Sequence, residues 1–347
     1  MLISQYTIED LLNDLKANKS IALFLGSGID VTSIYPDGYY VGESIDDYKI
    51  TWSSLLKKLT THACIYDVEE NALKDFSYDL KAAVLKHRLK GGYIPIIQEW
   101  LYTRCNKTIL EESFTLYDQY RNGQRDIKEV PFCSLFVIAD LILLQHSIKA
   151  VITHNYDNFL SEVISILLNN NQNDKYPYRN INPIDVYDGW KEEKLIDDVF
   201  LIYHVHGYIP PTSELKPKIE SNHIVLSQEE FYELGEHVFS WQNAVQLYFL
   251  THHTCVFIGL SLNDLTSVRV LKHAHLDKSS ERVYVITALD PNANEEEHMS
   301  LIMKARYYET QYVYFLCEER GYPVLYNTLW QSVIENKMKS ENHNNHE

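Results

Sequence analysis

Four short polar clusters, each following an apolar run, carry the residue types that could do chemistry in this chain. Thr153-His154-Asn155-Tyr156-Asp157 follows Ala150-Val151-Ile152, and His204-Val205-His206-Gly207 follows Val199 to Tyr203. Leu23-Phe24-Leu25 runs into Gly26-Ser27-Gly28-Ile29-Asp30, and Val256-Phe257-Ile258 runs into Gly259-Leu260-Ser261-Leu262-Asn263-Asp264. In parallel α/β sheets, ligands bind beyond the carboxyl ends of the strands, so polar residues that cap apolar strands mark an expected site. Together the four clusters point to a nucleotide-handling enzyme.

Each cluster has its own chemistry. An imidazole at a strand end, as at His206, titrates near neutral pH and can act as a general base. The Asn155 amide can orient a ribose hydroxyl or a water, and on an extended segment Thr153, Asn155 and Asp157 face one side and one pocket. Gly26-Ser27-Gly28 lets the backbone approach a diphosphate, with amides supplying positive potential. The third glycine of the dinucleotide fingerprint is not completed there. Ser261 and Asp264 could hydrogen-bond an adenosine ribose or phosphate. Structural alternatives stand beside these readings: a plain turn at the glycines, a helix N-cap at Asn155 or Asp157 and at Ser261 or Asn263, and a buried, hydrogen-bonded ring at His204. In an extended strand His204 shares a face with His206, but no carboxylate or third ligand is near in sequence, so no metal is expected. His252-His253 reads as favourable charge at a helix end.

The elements that must position these clusters follow from periodicity. Thr7 caps a helix over Ile8 to Ala17, and Ile21 to Leu25 reads as a buried strand. Helical spacing resumes over Thr51 to Thr61, Asp75 to Lys90, Tyr93 to Asn106 and Pro131 to His146, broken at Gly91-Gly92 and Asn122-Gly123. Strands are expected at Ala150–Ile152, Val199–Tyr203, Ile224–Leu226, Cys255–Ile258, Val283–Thr287 and Gln311–Phe315. Helices fall between them at Asn158–Leu168, Phe231–Leu250 and Asn294–Glu309. This alternation predicts an α/β fold: a doubly wound, Rossmann-like parallel sheet with an inserted helical subdomain at about residues 53–147. Asp30 to Lys49, with its Pro36-Asp37-Gly38 turn and Tyr35, Tyr39, Tyr40 and Tyr48, reads as a loop near a ligand or a surface insertion. Residues 336–347 form a polar tail.

The 347 residues are ample for a large core, with 45% apolar and 23% charged residues, as in soluble globular proteins. The net charge of −17 opposes direct binding to nucleic acid or anionic membranes. Five dispersed cysteines with no CxxC pair exclude a four-cysteine zinc module and suggest a reducing, cytoplasmic setting. The acidic first residues read as a helix start rather than a signal peptide, and no apolar run approaches membrane-spanning length.

Taken together, the clusters resemble the sirtuin-like superfamily. Gly26-Ser27-Gly28 matches its glycine loop, Thr153-x-Asn155-x-Asp157 its threonine-x-asparagine-x-aspartate motif, His206-Gly207 its histidine-glycine motif, and Gly259-x-Ser261-Leu262 its later glycine-x-serine-leucine motif. The order is the family's, across about residues 20 to 265. The zinc module of the protein deacylases is absent, and their proline-aspartate-phenylalanine-arginine loop is only half matched, by Pro36-Asp37. In these respects the chain looks like the bacterial sirtuin-like domains that hydrolyse NAD in anti-phage defence.

The resemblance implies a single NAD-binding domain over residues 1–335 and an NAD+ hydrolase (NADase) releasing nicotinamide and ADP-ribose, with NAD as substrate and no metal. Asn155 and His206 would be catalytic. Gly26, Ser27, Gly28, Asp30, Thr153, Asp157, Gly259 and Ser261 would bind the dinucleotide, with Asp30 a candidate carboxylate beside the oxocarbenium-like centre. Alternatives are an NAD-dependent deacylase or ADP-ribosyl transferase, and a non-catalytic NAD- or ADP-ribose-binding scaffold. No separate sensor segment is evident, so control is expected from a homo-oligomer or a partner protein, which in that family includes HerA-type ATPases and Argonaute-type proteins.

Overall fold

The computed structural model describes residues 6–17, 19–32, 50–64, 71–171, 176–189, 198–211, 224–237, 239–260, 262, 265–276, 282–288, 294–318 and 321–332. Ser261, Asn263, Asp264, the Pro36-Asp37-Gly38 turn with its tyrosines and the polar tail lie outside them, and only the backbone of Asp30 is described.

Helix α1 (Ile8–Lys16) starts at Thr7, whose side chain accepts from the Asp10 N–H while the Asp10 carboxylate accepts from the Thr7 N–H at 2.7 Å. This reciprocal cap turns Leu11, Leu12 and Leu15 inward. Strand β1 (Ile21–Leu25) is buried at every residue, as its unbroken apolar run requires. Among the described residues, the segment between it and β2 (Ile148–Thr153) includes α2 (Trp52–His62), α3 (Tyr78–Leu89), α4 (Tyr93–Arg104), α5 (Lys107–Arg121) and α6 (Cys133–Leu144). The chain continues through α7 (Phe159–Asn169), β3 (Asn182–Val186), β4 (Val199–His204), α8 (Gln228–Glu236), α9 (Trp241–His252) and β5 (Thr254–Ile258). Then come α10 (Leu265–Leu276), β6 (Val283–Ala288), α11 (Glu295–Glu309) and β7 (Val313–Glu318), and residues 322–332 are helical.

The seven strands form one sheet in the order β3-β4-β2-β1-β5-β6-β7, and every pairing is parallel. From β1 the chain moves to β2, β3 and β4 on one side, then crosses to β5, β6 and β7 on the other, leaving a switch point at the centre. Apolar cores fill both faces, as the doubly wound reading expects. One joins α1, the inserted helices and α7; the other joins α9, α10 and α11. Among the described residues no helix is long and apolar enough to cross a membrane.

Four expectations are corrected. Ile224 to Leu226 is buried but pairs with no strand of the sheet. Instead Val225 is tied by its N–H to the His206 carbonyl at 2.8 Å and by its carbonyl to the Tyr156 hydroxyl at 2.6 Å. The span Phe231 to Leu250 is two helices, since the Ser240 side chain accepts from the Asn243 N–H and starts α9 afresh. Strand β3 was not anticipated: Asn182-Pro183-Ile184-Asp185-Val186 is polar and contains a proline, which an edge strand tolerates. Strand β7 also begins two residues later than Gln311 and runs on to Glu318.

The inserted helices share the core of one sheet face. All of α6 is buried, and its Asp140 accepts from Tyr117 at 2.6 Å, from Trp330 Nε1 at 3.1 Å and from the Tyr178 hydroxyl, with Arg121 Nε 3.8 Å away. One carboxylate thus joins α5, α6, the approach to β3 and the helix at 322–332. Removing a single partner from such a buried set leaves the others uncompensated, at about 3–5 kcal/mol. Asp140→Ala is expected to lose stability of that order in urea unfolding, and a loss below about 1 kcal/mol would contradict this reading.

Candidate functional site

The register of the sheet brings the four clusters level. Leu25 at the end of β1 pairs with Thr153 of β2 and with Ile258 of β5, and Thr153 pairs with His204 of β4. The bonding continues one step past the strands, from the His154 N–H to the Leu25 carbonyl at 2.9 Å, the Val205 N–H to Thr153 at 3.1 Å and the Gly26 N–H to Ile258 at 3.0 Å. Beyond these ends opens a cavity of about 1550 Å³, lined among others by Gly26, Ser27, Gly28, Asn155, Asp157, His206 and Gly259. Trp52, Phe76 and Tyr78 from the helical insertion and Phe231 and Tyr232 from α8 wall it further out.

The glycines are needed for a close backbone approach. Gly259 has φ +69°, and a Cβ there would stand 2.6 Å from the Ile29 nitrogen; one on Gly28 would stand 2.7 Å from the Gly259 Cα. The Gly28 N–H donates to the Gly259 carbonyl at 3.0 Å, so the amides at 26 and 28 both serve the β1–β5 junction. The diphosphate reading and the plain turn both stand open for these glycines in the sequence; from Ser27 the chain runs as a short 3-10 segment to Thr32.

After β2 the chain leaves the extended path, so Thr153, Asn155 and Asp157 are not equivalent. Thr153 is buried below the cavity and its Oγ1 accepts from the Asn155 N–H at 3.0 Å. Asn155 and Asp157 both reach the cavity wall. Asn158, not Asp157, is the N-cap of α7; Asp157, the residue before it, accepts from the Phe159 N–H at 3.1 Å. Burial pushes its carboxyl up to about 6, against the lowering effects of that hydrogen bond and of His204.

The two histidines after β4 part company. His206 lines the cavity, its ring 4.1 Å from that of His154 and edge-on to Phe231 at 5.4 Å. His204 lies beneath, 1% exposed, with Nδ1 3.0 Å from the Asn155 carbonyl and Nε2 2.7 Å from Asp185 Oδ1. Burial opposes its charge, but the Asp185 hydrogen bond and charge prevail and raise its pKa. The helical insertion braces the loop after His206: Tyr102 donates to the Ile209 carbonyl and Gln98 to the Pro210 carbonyl, each at 2.7 Å. His154 and Asp185 were missed at the sequence level. His154 is a variable position inside its motif, although an imidazole next to Asn155 was a signal; Asp185 sits in the unanticipated edge strand. Among the described residues no group of three His, Cys, Asp or Glu side chains is placed to hold a metal ion.

Two outcomes are expected. Gly259→Ala forces a left-handed alanine as well as a clash, so it should cost more than the roughly 1–2 kcal/mol of the backbone conformation alone, measured by urea unfolding. For Asp157, a carboxyl raised from 3.8 to about 6 makes the native state bind a proton more tightly, so its contribution to stability falls as pH rises through that window and stays low above it. Asp157→Asn is therefore expected to melt no lower than the unsubstituted protein at pH 7.5, with its relative advantage shrinking towards pH 4; a lower melting temperature at pH 7.5 would refute this.

Residues 149–312 match the family model of the SIR2-like domain. No curated protein matches the chain. The matched span contains Asn155, His206 and Gly259, and it begins after the Gly26–Gly28 turn that the fold places against Gly259. SIR2-like domains use NAD. Over residues 149–312 the chain is similar to SIR2-like domains, and the parallel sheet gathers the strand ends of that span around one cavity.

Proposed function

We propose that the protein is an NAD glycohydrolase that cleaves NAD to nicotinamide and ADP-ribose. The observation that carries this reading is that Asn155 and His206, from two different strand ends, stand on the wall of one cavity with Gly26, Gly28 and Gly259. The glycine contact, where a Cβ would collide with backbone, holds the turns after β1 and β5 against each other at the cavity wall. Ser261 and Asp30 are carried in this proposal as ribose- or phosphate-side residues on the sequence resemblance alone.

In the reaction the bond between ribose C1′ and the pyridine nitrogen breaks. Its electron pair returns to the ring, which leaves as neutral nicotinamide without a general acid. Water adds to C1′ and its proton passes to His206, while Asn155 holds that water and the ribose hydroxyls. The positive charge that develops on the ribose is stabilised by fixed dipoles and by a carboxylate at the wall, for which Asp157 is the described candidate. An enzyme that consumes NAD in this way suits a defence effector that depletes the cellular pool, held in check by self-assembly or by a partner such as a HerA-type ATPase.

The test is nicotinamide release from NAD by the purified protein, followed by chromatography across size-exclusion fractions. Asn155→Ala and His206→Ala are each expected to lower release at least about 100-fold while NAD binding, read by calorimetry, persists. Binding without release in the unsubstituted protein would favour the scaffold reading. Release that requires an acyl-lysine peptide would favour the deacylase. Activity confined to a monomer would remove self-assembly from the proposal.

A further inference from the structure

Beneath the cavity lies a buried charged set that the proposed reaction does not yet use. His204, at the end of β4, has an acceptor at each ring nitrogen: the Asn155 carbonyl at 3.0 Å and Asp185 Oδ1 at 2.7 Å. A carbonyl cannot donate, so Nδ1 carries a hydrogen, and facing an ionised carboxylate Nε2 carries one too. The ring so bonded is an imidazolium. Asp185 in turn accepts from Ser161 of α7 at 2.7 Å through its other oxygen. A second, small cavity of about 10 Å³ is lined by Asn155, Asp157, Asp185 and His204 together. Asn155 and Asp157 also line the large one, so they connect the charged set to the site.

We propose that the Asp185–His204 ion pair is a positioning device for the reaction: it clamps the backbone of Asn155 and fixes a positive charge behind Asp157, so that a carboxylate rather than a neutral acid stands at the cavity wall. The proposal rests on the NAD-hydrolase reading. A cationic ribosyl centre is stabilised by that carboxylate and not by its protonated form. Burial drives Asp157 towards the protonated form, and His204 opposes it more strongly than the Asp185 charge reinforces it. The titratable groups facing Asp157 and His204 from the packed elements are Asp185 of β3, Tyr102 of α4 and Tyr208 of the loop after β4. Tyr102 is neutral in the working range, held far above its ordinary value by burial. His204 is thus the cation of this set.

Two measurements test the proposal on the full chain. Carbon-13 NMR of the carboxyl groups, with Asp157→Asn identifying the signal, reads the titration midpoint of Asp157. Nicotinamide release between pH 5 and 9 reads kcat and KM. In the unsubstituted protein both midpoint and acidic limb of kcat are expected near pH 6. His204→Gln removes the cation, so both should move up by about one unit or more, with KM for NAD changing less than kcat. The double variant His204→Gln/Asp185→Asn also removes the Asp185 repulsion and leaves no lone buried charge; its midpoint should fall between the other two. If the single variant does not fold, the double variant carries the test, because its midpoint must still exceed that of the unsubstituted protein. An Asp157 midpoint that does not rise overturns the proposal whatever the activity. A midpoint that rises while the kcat limb stays fixed removes the pair from the reaction. No release from the unsubstituted protein, with the midpoint still shifting, instead overturns the hydrolase reading and the reaction role with it.

Discussion

The site is held together by a contact of backbone against backbone, where the turn after β1 meets the turn after β5. Gly28 donates to the Gly259 carbonyl at 3.0 Å, and neither position has space for a Cβ. Because β1 and β5 are neighbours across the switch point, this contact draws together segments more than two hundred residues apart. It also keeps both turns low, so the cavity opens above them. The remaining site residues enter from β2 and β4, whose ends are level with β1 through Leu25, Thr153 and His204.

Electrostatics follows from that arrangement. The ends of β2, β3 and β4 bring buried Asp157 and His204 and half-buried Asp185 into one group in a chain of net charge −17. Buried charges are tolerated only when paired and hydrogen-bonded. Here Asp185 receives Ser161 and His204, while Asp157 receives the Phe159 N–H. His206, one turn above, sits among rings, between His154 and Phe231. The two histidines, two residues apart, thus occupy different environments: an ion pair below and an aromatic wall on the cavity above.

The long segment between β1 and β2 contributes more than bulk. Its last helix, α6, is buried along its length and carries Asp140, a buried carboxylate with three hydrogen-bond donors. Its helix α4 reaches across to the loop after His206 through Gln98 and Tyr102. The insertion therefore supports both the sheet face and the position of the site's histidine loop.

Much of this was legible in the residues. Unbroken apolar runs ending in glycine or polar clusters marked β1, β2, β4 and β5, because a strand buried on both faces has no polar side to show. The Thr7 cap and the spacing of Leu11, Leu12 and Leu15 defined the first helix within a residue. The order of motifs singled out Asn155 and His206, and the fold places both on the wall of one cavity. What the chain alone did not contain was everything set by a neighbour. Ile224 to Leu226 is as apolar as a strand, yet Val225 is bonded to His206 and Tyr156 instead of to a strand. Asn182 to Val186 is polar and includes a proline, yet it pairs because an edge strand needs partners on one side only. His204 and His206 look alike in sequence; the end of β4 at His204 sends one ring down to Asp185 and leaves the other on the cavity wall. Local pattern determines whether a segment can be a strand or a helix, but which acceptor meets a ring nitrogen depends on segments brought together only by the sheet.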